Sequence, residues 1–152
     1  MLTISRNFAQ ILIDYVGRLT NHDFSEAAMA MAAAIIWADG HLHEAEQVKL
    51  EHFIETSPLL QPFKPYRLLN TFHHYSEMYK LHGRQGTEGV AKAVLRIRDE
   101  DQQILLLKFA LLLAKADDPV LHDDEERVIR EFCHLLNIHD DEIFREIEDE
   151  DT

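Results

Sequence analysis

At 152 residues with 46% hydrophobic side chains, the chain is long enough for one domain with a substantial buried core. Its formal charge of −13 excludes a general nucleic-acid binder, which needs clustered Lys and Arg against phosphates, and disfavours an anionic bilayer surface. The single cysteine, Cys133, excludes an internal disulfide framework and is expected as a small buried hydrophobe between Phe132 and His134.

In chain order, Phe8, Ile11, Leu12, Tyr15, Val16 and Leu19 have the spacing of a first helix, with Thr3 or Ser5 as its cap. A second helix is expected from Asp23 or Ser25 through the alanine-rich segment to Ala38, small enough in side chain to sit centrally. Asp39-Gly40 should end it, the glycine taking a positive φ. A third helix turns Ala45, Val48, Phe53 and Ile54 inward and stops before Ser57-Pro58. Pro58, Pro62 and Pro65 stiffen the next connection, and Pro65 suits the first position of a helix carrying Leu68, Leu69, Phe72, Tyr75 and Tyr79.

The segment Gly83 to Gly89 reads as a flexible divider between two halves. Thr87 is expected to cap a short helix with Val90, Val94 and Leu95. Asp99 or Asp101 should cap a strongly apolar helix with Ile104, Leu105, Phe109, Leu112 and Leu113. The next helix takes Val128, Ile129, Phe132, Leu135 and Leu136, with Asn137 as its stop, and His139 to Glu150 closes the chain. No segment alternates as a strand does. The expected fold class is all-α, a single domain over 1–152 with about seven to eight helices and an acidic tail at 146–152.

The chain says one thing twice. Residues 38–53 read A-D-G-H-L-H-E-A-E-Q-V-K-L-E-H-F, and residues 117–132 read D-D-P-V-L-H-D-D-E-E-R-V-I-R-E-F. Overlaid without a gap, Asp39 meets Asp118, Leu42 meets Leu121, His43 meets His122 and Glu46 meets Glu125. Leu50 meets Ile129 and Phe53 meets Phe132. A repeat of this kind implies two related helix-pair halves, about 24–82 and 101–149, with Leu42 and Leu121 equivalent and both inward.

Each corner gathers carboxylates and imidazoles, a donor set for a divalent cation. Oxygen ligands favour magnesium or calcium, and histidine participation favours zinc or manganese. The candidate ligands are Asp39, His43 and Glu46 at the first corner and Asp118, His122 and Glu125 at the second, in two sites or one shared site. A plainer role competes with this. Asp before a helix is a cap, Glu in a first turn offsets the macrodipole, and Asp123 with Glu126 fits a capping-box variant.

These residues resemble the TerB-like family, known from tellurite-resistance proteins. The first copy, Ala38-Asp39-Gly40 with Glu46, is similar to the family's A-D-G turn and acidic residue seven positions on. The second, Ala116-Asp117-Asp118 with Glu125, departs from it where Pro119 replaces the glycine-type corner and one residue is inserted. The resemblance covers about Ser25 to Leu136. It implies an all-helical cytoplasmic accessory domain, not an enzyme, linked to tellurite or chemical stress and working with a protein partner near a membrane complex.

Two other classes remain open at this point. His22-Asp23, His122-Asp123 and His139-Asp140 suit a metal-dependent phosphohydrolase of the His-Asp kind, which needs such side chains converging from several helices. A self-associating structural bundle, a homo-oligomer, needs an exposed apolar face. No phosphate-cradling glycine loop, dinucleotide fingerprint or Ser-His-Asp set occurs. With no secretory leader and no apolar run long enough to span a bilayer, a cytoplasmic location without membrane insertion is expected. Charge is uneven: Lys64, Arg67, Lys80 and Arg84 fall in a basic middle, and Asp123, Glu126 and the terminal acids should form a separate surface.

Overall fold

The computed structural model describes residues 22–115 and 120–151, the side chains of Arg84 and of residues 146–151 excepted. The expected first helix and the candidate ligand Asp118, with Asp117 and Pro119, lie outside the described residues. Seven α-helices occur among those described: α1 His22–Ile36, α2 Glu44–Thr56, α3 Pro65–His82, α4 Gly86–Leu95, α5 Glu100–Ala114, α6 Asp123–Leu135 and α7 Asp140–Asp151. A 3-10 turn, Gly83–Gln85, joins α3 to α4, and no strand is present among these residues.

The alanine-rich helix is the axis of the fold. From Ala27 to Ile36 no residue of α1 is more than 3% exposed. A helix apolar all round must be enclosed on every side, and small side chains let its neighbours approach closely. Helices α3, α4 and α5 pack most extensively against it, with α6 and α2 completing the enclosure. Phe24, Met29, Met31, Phe72, Leu106 and Phe109 fill the spaces between backbones. Phe53 of α2 meets Phe109 of α5 edge to face, at 5.4 Å between ring centroids.

Helix boundaries follow local chemistry. Asp99 accepts the Gln102 backbone N–H at 3.1 Å and caps α5. Asn137 has φ of 57°, and the Ile138 and Asn137 N–H groups donate to the Cys133 and His134 carbonyls. Those two bonds are a Schellman stop, satisfying carbonyls the end of α6 would otherwise leave open. Pro65 is the first residue of α3, and Gly40 has φ of 89°. Cys133 is buried, which pushes its thiol up to about 11.

The halves share a measure. Helices α1 and α5 each have 15 residues, and α2 and α6 each have 13. His43 and His122 stand at matching positions immediately before the second helix of each pair.

Several expectations are corrected. Leu42 is exposed at 41% while Leu121 is partly buried against the core, so the two are not both inward. Ala45 and Val48 are exposed, because α2 meets the core only through Leu50, Phe53 and Ile54. Leu95 is exposed too. The segment Gly83 to Gly89 is not a loose divider. Gly86 and Gly89 lie within α4, where a Cβ would press on Tyr79 and Met78, so these glycines allow close approach to α3. Thr87 is inside α4, and the residue before that helix is Gln85.

Two ion-pair clusters hold outer elements. Glu26 accepts hydrogen bonds from Tyr75 (2.8 Å) and Arg96 (2.6 Å), tying α1 to α3 and the end of α4. Burial pulls the Glu26 carboxyl up, but these donors outweigh it and hold it below its ordinary value. A carboxylate depressed in the folded state contributes stability above its unfolded value, here 4.5, and loses it as pH falls through the folded value. Glu26→Gln should therefore cost about 1–2 kcal/mol at neutral pH and converge on the parent as the pH falls through the lowered folded value, measured by urea unfolding across pH.

Arg130 donates to Asp140 at 2.6 Å, pairs with Glu126 at 3.4 Å and lies 4.2 Å over the Phe144 ring. Its cluster pins α7 to α6. Arg130→Met should loosen α7 by about 1 kcal/mol, seen as faster amide exchange there and unchanged exchange in α1. Arg127 and Arg130 thus pair locally with the acids of α6.

Candidate functional site: two acidic corners on one cleft

The turn after α1 is braced by Asp39. Its Oδ1 accepts the His41 backbone N–H at 3.0 Å, and its Oδ2 lies 2.9 Å from His43 Nε2. Asp39 is thus a turn carboxylate rather than a helix cap. His43 occupies the N-cap position of α2 and makes no side-chain cap bond there. His122 occupies the N-cap position of α6, likewise without one. Asp123 is the first helical residue of α6, so the capping box with Glu126 is not formed.

The two corners face each other. Asp39, His43 and Glu46 from the first and His122, Asp124 and Glu125 from the second line one cleft of about 350 Å³, backed by Ile35, Ile36 and Ala38. Five of the six predicted ligands are together in this way; the sixth, Asp118, lies outside the described residues. Asp124 was missed, because it stands where the first copy has Ala45 and the repeat gives no sign of it. Among the described residues no three His, Cys, Asp or Glu side chains converge to the distances that hold a metal ion.

The electrostatics explain that spacing. Burial raises the Glu46 carboxyl above its ordinary value, and the Glu125 carboxylate across the cleft raises it further. Glu125 Oε1 is itself shut off from solvent. Like charges in one half-buried cleft settle apart unless a proton or cation lies between them. At the rim, burial raises Asp39 but the His43 and His41 bonds outweigh it and lower it, while the Asp39 hydrogen bond raises His43. The cleft thus gathers carboxylates of unequal proton affinity beside two imidazoles.

Arg127 links the corners without being a ligand. It donates to the Ala38 carbonyl at 3.2 Å, beyond the end of α1, and to Glu131 at 3.2 Å. Behind it a second cleft opens, sharing Ala38, Asp39 and Asp124 with the first. Trp37 lies on its floor, stacked on Tyr79 at 6.3 Å with its indole N–H donating to Ser76 at 2.7 Å. Trp37 is partly buried against the core and also lines this cleft.

The His-Asp dipeptides at 22–23, 122–123 and 139–140 sit at the starts of α1, α6 and α7. Only His122 of these six residues lines the shared cleft.

Fold and site together define an all-helical domain in which acidic residues before and within α2 and α6 line one cleft. The sequence model of the family described as tellurite resistance protein TerB matches residues 25–146, and the chain belongs to that family. Comparison with curated proteins and with solved structures found no match. No helix among the described residues is long and apolar enough to cross a membrane.

Proposed function

We propose that the chain is a non-catalytic TerB-type accessory domain that holds one divalent cation between its two acidic corners and docks on a protein partner, in the response to tellurite or chemical stress. The observation that carries this reading is the single cleft into which the two corners bring Asp39, His43, Glu46, His122 and Glu125. Helix starts far apart in sequence have no reason to place Glu46 against Glu125 if each acid serves only its own helix.

Asp39, Glu46 and Glu125 would supply hard oxygen donors, and His43 and His122 would supply nitrogen at the rim. A bound cation would supply positive charge where these carboxylates now repel, joining the corners and making the turns more rigid. The oxygen majority favours magnesium or calcium, and closure by both histidines favours zinc or manganese.

The test is metal analysis of protein purified without an affinity tag, followed by thermal melts with chelator and with each of the four metals. One metal should raise the melting temperature and bind calorimetrically at about one per chain, since a ligand of the folded state alone stabilises by mass action. Melts identical with chelator and with all four metals would end the cation reading.

A further inference from the structure

The second cleft calls for an occupant of its own. Its described lining includes Ala34, Trp37 and Ala38 beneath, Tyr79 beside them, Thr87 and Ala91 from α4, and Val128, Glu131 and Leu135 from α6. At about 710 Å³ it lies within the range of real ligand sites, which run from about 300 to about 1,000 Å³. It is a groove between two helices rather than a chamber. Leu95 stands one turn beyond Ala91 on the same face of α4, and the lining of α6 ends at Leu135; these are 49% and 38% exposed. A small molecule in the groove would leave Leu95 in water, whereas a chain segment laid along the two helices would cover it.

Charge selects the segment. Among the described residues, Asp39, Asp124 and Glu131 border the groove against one cation, Arg127. That guanidinium is already engaged by Glu131, by Asp124 at 3.7 Å and by the Ala38 carbonyl. Burial raises the Tyr79 phenol above its ordinary value, the Thr87 hydrogen bond lowers it, and the nearby Glu131 carboxylate adds a smaller upward push. The described side chains thus leave net negative charge over the aromatic floor, and a cationic rim on the occupant complements it. We propose that this groove docks a basic amphipathic helical segment of a partner protein. An apolar side chain of that segment seats on Trp37 and Tyr79, and its Lys or Arg side chains reach Asp39, Asp124 and Glu131. Helix-in-groove recognition uses this division of labour, with apolar anchors for affinity and rim charge for specificity. The assignment gives the partner chemistry for the interaction reading above, rests on that reading's docking role alone and needs no cation.

Trp37 is the chain's single tryptophan, so its emission reports on the groove directly. The probe is a leucine–lysine helical peptide of about four turns, titrated into the full chain in chelator, beside its counterpart with every Lys replaced by Glu. The Lys peptide should shift Trp37 emission to the blue and bind at least about tenfold more tightly than the Glu peptide. Glu131→Gln and, separately, Ala91→Met, which fills the groove, should each weaken it about tenfold, while Glu55→Gln on α2 should not. Circular dichroism confirms that each variant is folded. An absent emission response, equal binding of the two peptides, or undiminished binding by both groove variants overturns the proposal. So does an emission shift that grows with protein concentration alone, which assigns the groove to a second copy. Tighter peptide binding by a Phe8→Ser, Leu12→Ser variant assigns it to the chain's own first residues and overturns it equally. Chelator keeps the cation question apart, since loss of metal binding leaves these titrations unchanged.

Discussion

Replacing Phe109 with Ala should lower unfolding stability by about 3–5 kcal/mol, the usual cost of emptying a large aromatic site in a core that can only partly collapse. Phe109 is 1% exposed on α5, and its ring meets Phe53 of α2 edge to face at 5.4 Å. The contact joins a helix of the first half to a helix of the second, so the lost volume lies where the halves meet. Phe53→Ala should cost less, because Phe53 is only partly buried. The double variant should fall short of the sum by about 0.5–1.5 kcal/mol, the coupling typical of an aromatic pair. Urea unfolding with midpoint and slope fitted separately measures all three. Full additivity would mean that the rings touch without cooperating, and that the halves are held mainly through α1.

The elements were legible wherever a short-range rule decided them. Asp99, Pro65, Gly40 and Asn137 each act through their own backbone and a few neighbours, and each does what its residue type dictates. The buried alanine helix was legible because a run with no polar side has nowhere to sit but the centre. The failures are tertiary. Val48 has helical spacing toward an apolar stripe, yet α2 turns only Leu50, Phe53 and Ile54 to the core. Gly86 and Gly89 carry the composition of a loop and lie in a helix, because Tyr79 and Met78 need the room a side chain would take. No local rule contains the neighbour that makes such a demand.

The site divides the same way. Repetition singled out Asp39, His43, Glu46, His122 and Glu125, because both copies carry the same donor types at one spacing. That they share one cleft was only an alternative in the sequence, because it depends on how the pairs cross. Asp124 and Arg127 left no trace in the repeat: the first copy has Ala45 and Val48 at their positions. Their part depends on facing the opposite corner, where Asp124 lines both clefts and Arg127 reaches the Ala38 carbonyl.

The variant that separates a cation ligand from a helix-end charge is Glu46→Gln, because the two roles predict opposite signs. Glu46 sits in the first turn of α2, where a negative charge offsets the exposed N–H dipoles by about 0.3–1 kcal/mol. If that were its whole role, Gln would destabilise the protein slightly and equally with or without metal. In the cleft the carboxylate is instead penalised by burial and by Glu125, and its proton affinity is raised. A carboxyl with a raised folded value costs stability above that value and costs none below its unfolded value, 4.5. At neutral pH without metal, Gln should therefore leave the melting temperature unchanged or higher. With saturating metal the order reverses. At one hundred times its Kd a cation adds about 2.7 kcal/mol to the parent, and Gln should forfeit most of that gain. For a chain of this size the lost gain is roughly 5–10 °C in melting temperature. Glu125→Gln should behave alike, and the double variant should lose no more than either alone, since one missing carboxylate already breaks the shared site. Paired melts in chelator and in metal, at pH 7 and again near pH 4, decide between the roles. An equal small loss at pH 7 with and without metal, fading near pH 4 as the carboxyl is protonated, leaves Glu46 as a helix-end charge and removes the cation from the corners.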